Sequence, residues 1–345
     1  MGRRASRKNF FRELLRESAN AARGVQSALQ SSLNAPEVGK SPPQWTGWSQ
    51  SPPRGSAPTV RTASRDELLA LCSTVALETR SKDVMGLCRP SVRATASVTA
   101  AGLHSRSRLG GSPDAPSGFE WPAHEGRAFT FVGQFDLAEL SRSFGTLELP
   151  TRGLLSFFVA SVRSVPIDDV RCRVFHFDEP EANLSLVRPE DLPTLPDYPV
   201  DLSLELTLPR SRSLAVEDLG LSQDEVDAWD ELRAQLASMQ GVELEDLSSD
   251  CLNLHRLVGY PEALGGEMEP DLELTPPVSL EGADESLRLD PSMTDGVRRW
   301  RLLLQVSDDV ELRISGGGGF GRLYFWIKEP DLQTSSFEGA RALFR

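Results

Sequence analysis

One pattern occurs twice in this chain, and it constrains the fold more than any other feature. The first copy runs Arg108-Leu109-Gly110-Gly111-Ser112-Pro113, then Phe129 to Phe135 around Gln134, then Gly153-Leu154-Leu155-Ser156-Phe157. The second runs Arg256-Leu257-Val258-Gly259-Tyr260-Pro261, then Trp300 to Val306 around Gln305, then Gly321-Arg322-Leu323-Tyr324-Phe325. Chance produces one such block; three in the same order point to duplication within the chain. The gap before Gln305 is the longer one, which places an insertion in the second copy. The expected fold is therefore α+β. Two related β-rich halves, about 104–160 and 255–330, build one compact body over residues 64–345, with helices at its N-terminal side.

Each copy contains a strand of period two. Phe129, Phe131, Gly133 and Phe135 alternate with Thr130, Val132 and Gln134. Trp300, Leu302, Leu304 and Val306 alternate with Arg301, Leu303 and Gln305. Alternation puts both glutamines on the face opposite the aromatic or aliphatic one. A side-chain amide offers two donors and an acceptor. Two roles stay open. The amides satisfy backbone groups at a sheet edge or between the halves, or they line a ligand cleft between the halves together with Arg108 and Arg256. Of the four histidines, only His255 stands at the head of a repeated block. The ligand- or partner-binding candidates are thus Arg108, Gln134, His255, Arg256 and Gln305.

Helix signals surround the repeats. Ser64 and Glu67 form a capping box ahead of Leu68, Leu71, Cys72 and Val75. A short helix over about 82–87 ends before Arg89-Pro90. Val92 to Thr99 reads as a strand. The stretch between the copies is acidic and reads as mostly irregular, ending in one helix. There Ser222 and Glu225 form a second capping box, Val226, Trp229, Leu232, Leu236 and Met239 form the stripe, and Gly241 ends it. The subsequent acidic run, Glu243, Glu245, Asp246 and Asp250, reads as a solvated face.

Charge divides the chain. Residues 1–65 hold eleven Lys or Arg against three Glu, a net of +8; with −13 for the whole chain, the remainder carries −21. An acidic body argues against a broad nucleic-acid surface there. Arg3, Arg4, Arg7, Lys8, Arg12 and Arg16 cluster in the basic segment, where Phe11, Leu14, Ser18, Ala22, Val25 and Leu29 fall at helical spacing. Residues 1–30 thus read as a basic amphipathic helix, and 31–63, with Ser41-Pro42-Pro43 and Ser51-Pro52-Pro53, as a Pro/Ser-rich disordered linker. Such a helix suits an anionic membrane surface, a nucleic acid or a protein groove, or packs on its own domain. Ser6 to Phe11 faintly resembles a twin-arginine export signal, but the charged residues 12–23 argue against one, since a signal needs an apolar h-region. No apolar run reaches the roughly 18 to 20 residues of a membrane span.

The search for chemistry finds no catalytic motif, no metal site and no cofactor. Cys72, Cys88, Cys172 and Cys251 form no CxxC pair, which fits reduced cysteines in a cytoplasm. Gly316 to Gly319 lacks the Gly-Lys-Ser/Thr of a P-loop and opens no visible helix, so it reads as a tight connection. His104, His124, His176 and His255 have no ligand spacing. Asp168-Asp169 and Asp308-Asp309 are adjacent carboxylates, which point apart in a strand or loop.

A further set of residues carries a family resemblance. It comprises Arg108 to Pro113, Glu120-Trp121-Pro122, Gln134 with Asp136-Leu137-Ala138-Glu139-Leu140, Gly153 to Phe158, His255 to Pro261, Trp300 to Gln305, and Gly321 to Ile327 with Asp331-Leu332. These resemble the YwqG-like family of bacterial proteins, the DUF1963 domain, over roughly residues 85 to 345. The resemblance implies a compact α+β domain with no established activity. Family members carry a Trp-Gly-Asp-like element where this chain has Ser315 to Phe320, so no role for that Asp carries over. The expected function is a non-enzymatic protein-interaction module, cytoplasmic or peripheral to a membrane, tethered by its basic helix to an as yet unidentified protein partner. The alternative is a small-molecule-binding protein or enzyme with its pocket between the halves.

Overall fold

The computed structural model describes residues 62–96, 106–145, 147–160, 170–188, 192, 194–242, 244, 254–263, 267–273, 291–307 and 321–345. The basic segment, the linker up to residue 61, His104, Cys251, both Asp-Asp pairs, the run at 243–250 (save residue 244) and Gly316 to Gly319 lie outside these residues.

Two helices come first, α1 (Arg65–Thr74) and α2 (Ser81–Leu87). Strand β1 (Arg89–Ala96) leads to β2 (Arg108–Leu109) and the short β3 (Asp114–Pro116), β4 (Ala123–His124) and β5 (Arg127–Ala128). Then come β6 (Thr130–Asp136), α3 (Leu137–Phe144), β7 (Leu154–Val159), β8 (Cys172–Phe177), β9 (Leu184–Leu186) and β10 (Tyr198–Thr207). Helices α4 (Leu214–Glu217) and α5 (Gln223–Met239) precede β11 (His255–Leu257), α6 (Glu269–Glu273) and α7 (Pro291–Val297). The chain ends in β12 (Trp300–Ser307), β13 (Arg322–Lys328), α8 (Glu329–Gln333) and β14 (Arg341–Phe344).

Ten strands form one sheet in the order β14-β13-β12-β11-β1-β10-β2-β6-β7-β8. The pairings along it are antiparallel. Its two ends meet at an isolated bridge, Val170 to Ala342, so the sheet nearly closes on itself. Closure removes the exposed edges that an open sheet must protect. The largest core cluster takes residues from both ends, including Phe157 and Phe325, whose rings lie 5.1 Å apart. The fold is thus α+β and mostly β. A second core packs α1, α2 and α5 together through Leu68, Cys72, Val84, Trp229, Leu232 and Leu236. Both expected capping boxes are present, at Ser64 and Ser222.

Two expectations need correction. The stretch between the copies is not mostly irregular, because it contains β8, β9 and the ten-residue β10. Val200, Leu202, Leu204 and Leu206 alternate there with Asp201, Ser203 and Glu205, a period-two signal hidden among acidic residues. Strand β1 also starts three residues before Val92 and includes Pro90. The Gln240 side-chain amide bonds both the N–H and the C=O of Leu206, as a neighbouring strand would. Leu206 therefore turns those groups away from its partner Pro90. In such a pair the proline nitrogen faces β11, which reaches only Val92 to Ala94, so no ladder bond is lost there.

The second correction concerns the glutamines. Register shifts between Phe131 and Gly133, and between Leu302 and Leu304, mark a β-bulge at the same place in each copy. One extra residue reverses the phase of the remainder of the strand. Gln305 lies directly opposite Tyr324, and opposed residues share a face. Tyr324 packs with Trp300 and Leu302. Gln305 therefore shares its face with the aromatic start of its strand. Gln134, opposite Ser156 and past the equivalent bulge, behaves likewise.

Candidate functional site

The candidate residues form two clusters of the same construction. Gln134 lies opposite Arg108 in the ladder, and Gln305 lies opposite Arg256. The Gln134 Oε1 accepts from the Asp114 N–H at 2.8 Å, and its Nε2 donates to the Arg106 carbonyl at 2.8 Å. The Gln305 Oε1 accepts from the Glu262 N–H at 2.9 Å, and its Nε2 donates to the Leu254 carbonyl at 2.9 Å. Each acidic residue stands six positions after the arginine, and each carbonyl two before it. Both arginines also donate to the carbonyl four residues ahead, Ser112 or Tyr260. Consecutive residues with positive φ make that return possible, Gly110-Gly111 in one copy and Val258-Gly259 in the other.

His255 belongs to the same scheme. Its Nδ1 accepts from the Ser307 N–H at 3.1 Å; in the first copy the Ser107 hydroxyl accepts from the Asp136 N–H at 3.0 Å. His255 is buried and meets the Tyr198 ring edge-on. Strands β1 and β10 lie between the two clusters, so Arg108 and Gln134 do not meet Arg256 and Gln305.

What differs between the clusters is an ionic chain that only the second one joins. Arg93 on β1 donates from Nε to Glu205 on β10 at 2.9 Å, and the other Glu205 oxygen lies 2.9 Å from Arg256 Nε on β11. Arg256 Nη1 is 3.8 Å from Glu262, whose carboxylate accepts from Arg233 of α5 at 3.1 and 3.2 Å. Arg93, Glu205 and Arg256 are buried, and Arg233 and Glu262 half-buried. In the first copy Arg108 pairs with Asp114 at 2.8 Å, as Arg256 does with Glu262, but Pro199 faces Arg108 where Arg93 faces Arg256, so the link through Arg93 and Glu205 has no counterpart there. Removing one member of such a chain leaves a buried charge unpaired, typically at a cost of about 3–5 kcal/mol.

The sequence reading missed Arg93, Glu205, Arg233 and Glu262. A signal existed for Arg233, which stands four residues after Trp229 on the inward face of its helix. Arg93 and Glu205 fall in the polar phase of their strands and so read as solvent-facing. Beneath α5 these side chains, with Gln240, line a cavity of about 20 Å³, room for about one water molecule. Nearby, burial and the adjacent Glu269 push the Glu267 carboxyl up to about 8, against the opposing pull of Arg210 and Arg233. No group of three or more metal-ligating side chains occurs among the described residues. Burial raises the thiols of Cys88 to about 11 and of Cys172 to about 12, which makes both poor nucleophiles. No helix among the described residues is long and apolar enough to cross a membrane.

Comparison with curated proteins returns no match. The sequence profile of a domain of unknown function, DUF1963, matches residues 107–344, more than half of the chain. The match begins after β1, yet β1 is one of the two central strands of the sheet, so the folded unit starts earlier than the profile. On that match the chain belongs to the DUF1963 family.

Proposed function

We propose that this chain is a non-enzymatic protein-interaction module, in which the sheet serves as a rigid scaffold and the basic segment 1–30 as a tether. The observation that supports this is the use made of the candidate residues. Arg108, Gln134, Arg256 and Gln305 hold their own loops in place and lie in two clusters on either side of β1 and β10. We read the two halves as descendants of one duplicated unit, since the same bonds recur at the same offsets. Deeply buried thiols fit a reducing cytoplasm.

The rival reading, a small-molecule-binding protein or enzyme, draws on Glu267. A carboxyl that stays protonated near neutral pH, close to arginines and a cavity, is the kind of group that does acid–base work. Affinity capture separates the two readings. The full-length chain is compared with a full-length variant carrying glutamine at Arg3, Arg4, Arg7, Lys8, Arg12 and Arg16. The module reading expects a protein partner, recovered at least fivefold less with the variant. Native mass spectrometry that finds a bound metabolite and no protein partner favours the rival.

A further inference from the structure

Helix α5 carries more negative charge than helix stability asks for. Asp224, Asp227, Asp230 and Glu231 are all exposed. Asp224, Asp227 and Glu231 succeed one another at spacings of three and four, which places them on one stripe. Like charges so spaced repel and destabilise a helix. Gln223, Ser211 and Gln235 donate to Asp227, Asp230 and Glu231, but these donors are neutral, and the only cation of the helix, Arg233, is turned inward to Glu262 and the Leu208 carbonyl. Glu225 is already held by Arg80 at 2.7 Å. The packed neighbour α1 adds an exposed apolar side chain. Its Leu69 is 39% exposed, one of two large exposed apolar side chains among the described residues.

The complementary surface is present in the chain itself. Residues 1–30 hold Arg3, Arg4, Arg7, Lys8, Arg12, Arg16 and Arg23 against Glu13 and Glu17, with Phe11 and Leu14 on the apolar stripe. The chain joins the body beside α5. The Thr62 hydroxyl donates to the Leu204 carbonyl at 2.7 Å, and Ser64 caps α1, whose Thr74 hydroxyl reaches Gln235 of α5 at 3.3 Å. A random coil as long as residues 31–61 has a root-mean-square span of about 30 Å, and proline lengthens it. The 17-residue α5 is about 25 Å long. The whole stripe is thus within reach, at an effective concentration on the order of millimolar. Contacts too weak to join separate molecules suffice under that condition.

We infer that the exposed face of the α1–α5 pair is the docking surface for the chain's own basic segment, residues 1–30, and that docking there competes with binding of that segment to external anionic surfaces. The competition rests on the tether reading; the docking itself does not.

Two experiments on the full-length chain test this. Carbodiimide joins amines to carboxylates that touch, and the segment offers Lys8. Mixed isotope-labelled and unlabelled protein is treated at low salt and again in 0.5 M NaCl. The expected products link Lys8 to Asp224, Asp227, Asp230 or Glu231 within one chain, and salt suppresses them. Links only elsewhere on the body, links only between copies, or none at all overturn the docking. The second experiment uses the variant D224N/D227N/E231Q, whose changes are confined to exposed positions, with its fold checked by circular dichroism. Vesicles containing 30% phosphatidylserine are expected to bind it at least fivefold more tightly than the parent. Equal binding of both overturns the competition. Binding by neither, with the cross-links present, overturns the membrane tether and leaves the docking standing.

Discussion

Gln134 and Gln305 each tie a loop to a strand with one side chain. Each amide accepts from a loop N–H and donates to a carbonyl upstream of β2 or β11, so no other residue of similar size replaces both bonds. Leucine fills the same space and leaves two buried backbone groups unsatisfied, at about 1–3 kcal/mol each. Gln134→Leu and Gln305→Leu are therefore each expected to lose about 2–4 kcal/mol in urea unfolding, and by similar amounts. A loss below about 0.5 kcal/mol at either site is incompatible with this role. The residue types were legible in the sequence, and so was a structural use for the amides. Their partners were legible too, had the repeat been traced further. Asp114 and Glu262 each stand one residue after the repeated proline. The face was not legible, because a single bulged residue reverses a period-two pattern without changing composition.

At the scale of elements, α5 shows how one side chain serves two purposes. Glu225 closes the capping box on the Ser222 N–H and pairs with Arg80, the last residue of the short helical turn that leads into α2. These bonds, that from Arg80 foremost, hold its carboxyl down to about 2. A depressed carboxylate pKa stabilises the fold above the unfolded value of about 4.5, and the contribution disappears as pH falls from there through about 2. Glu225→Gln keeps a capping side chain and removes the charge. Its unfolding midpoint is expected to lie below the parent's at pH 7 and to converge with it near pH 2. A gap that persists at low pH contradicts the ionic account. Ser222→Ala, which removes the cap alone, is expected to cost about 1 kcal/mol at either pH. Both capping boxes were readable because their signals are local. Strand β10 went unread because its alternating leucines lie in an acidic stretch.

For the whole molecule, the near-closed sheet makes the two halves a single cooperative unit. The largest core cluster draws on strands from both ends, and the Phe157 and Phe325 rings meet across it at 5.1 Å. These two residues occupy the same position in the two copies, so the repeat meets itself at the centre of the core. Neither half has a complete core without the other. Heat or urea is therefore expected to unfold the body in one transition, with near- and far-ultraviolet circular dichroism coincident. Phe157→Ala and Phe325→Ala should each cost about 3–5 kcal/mol. Because the rings touch, the double variant should cost less than the sum, by about 0.5–1.5 kcal/mol. Two separate transitions, or strict additivity, point instead to halves that fold independently and merely abut. The repeat made the halves legible in the sequence. Their closure was not legible, because it depends on Val170 meeting Ala342, residues that belong to no repeated block and are joined only by the curvature of ten strands.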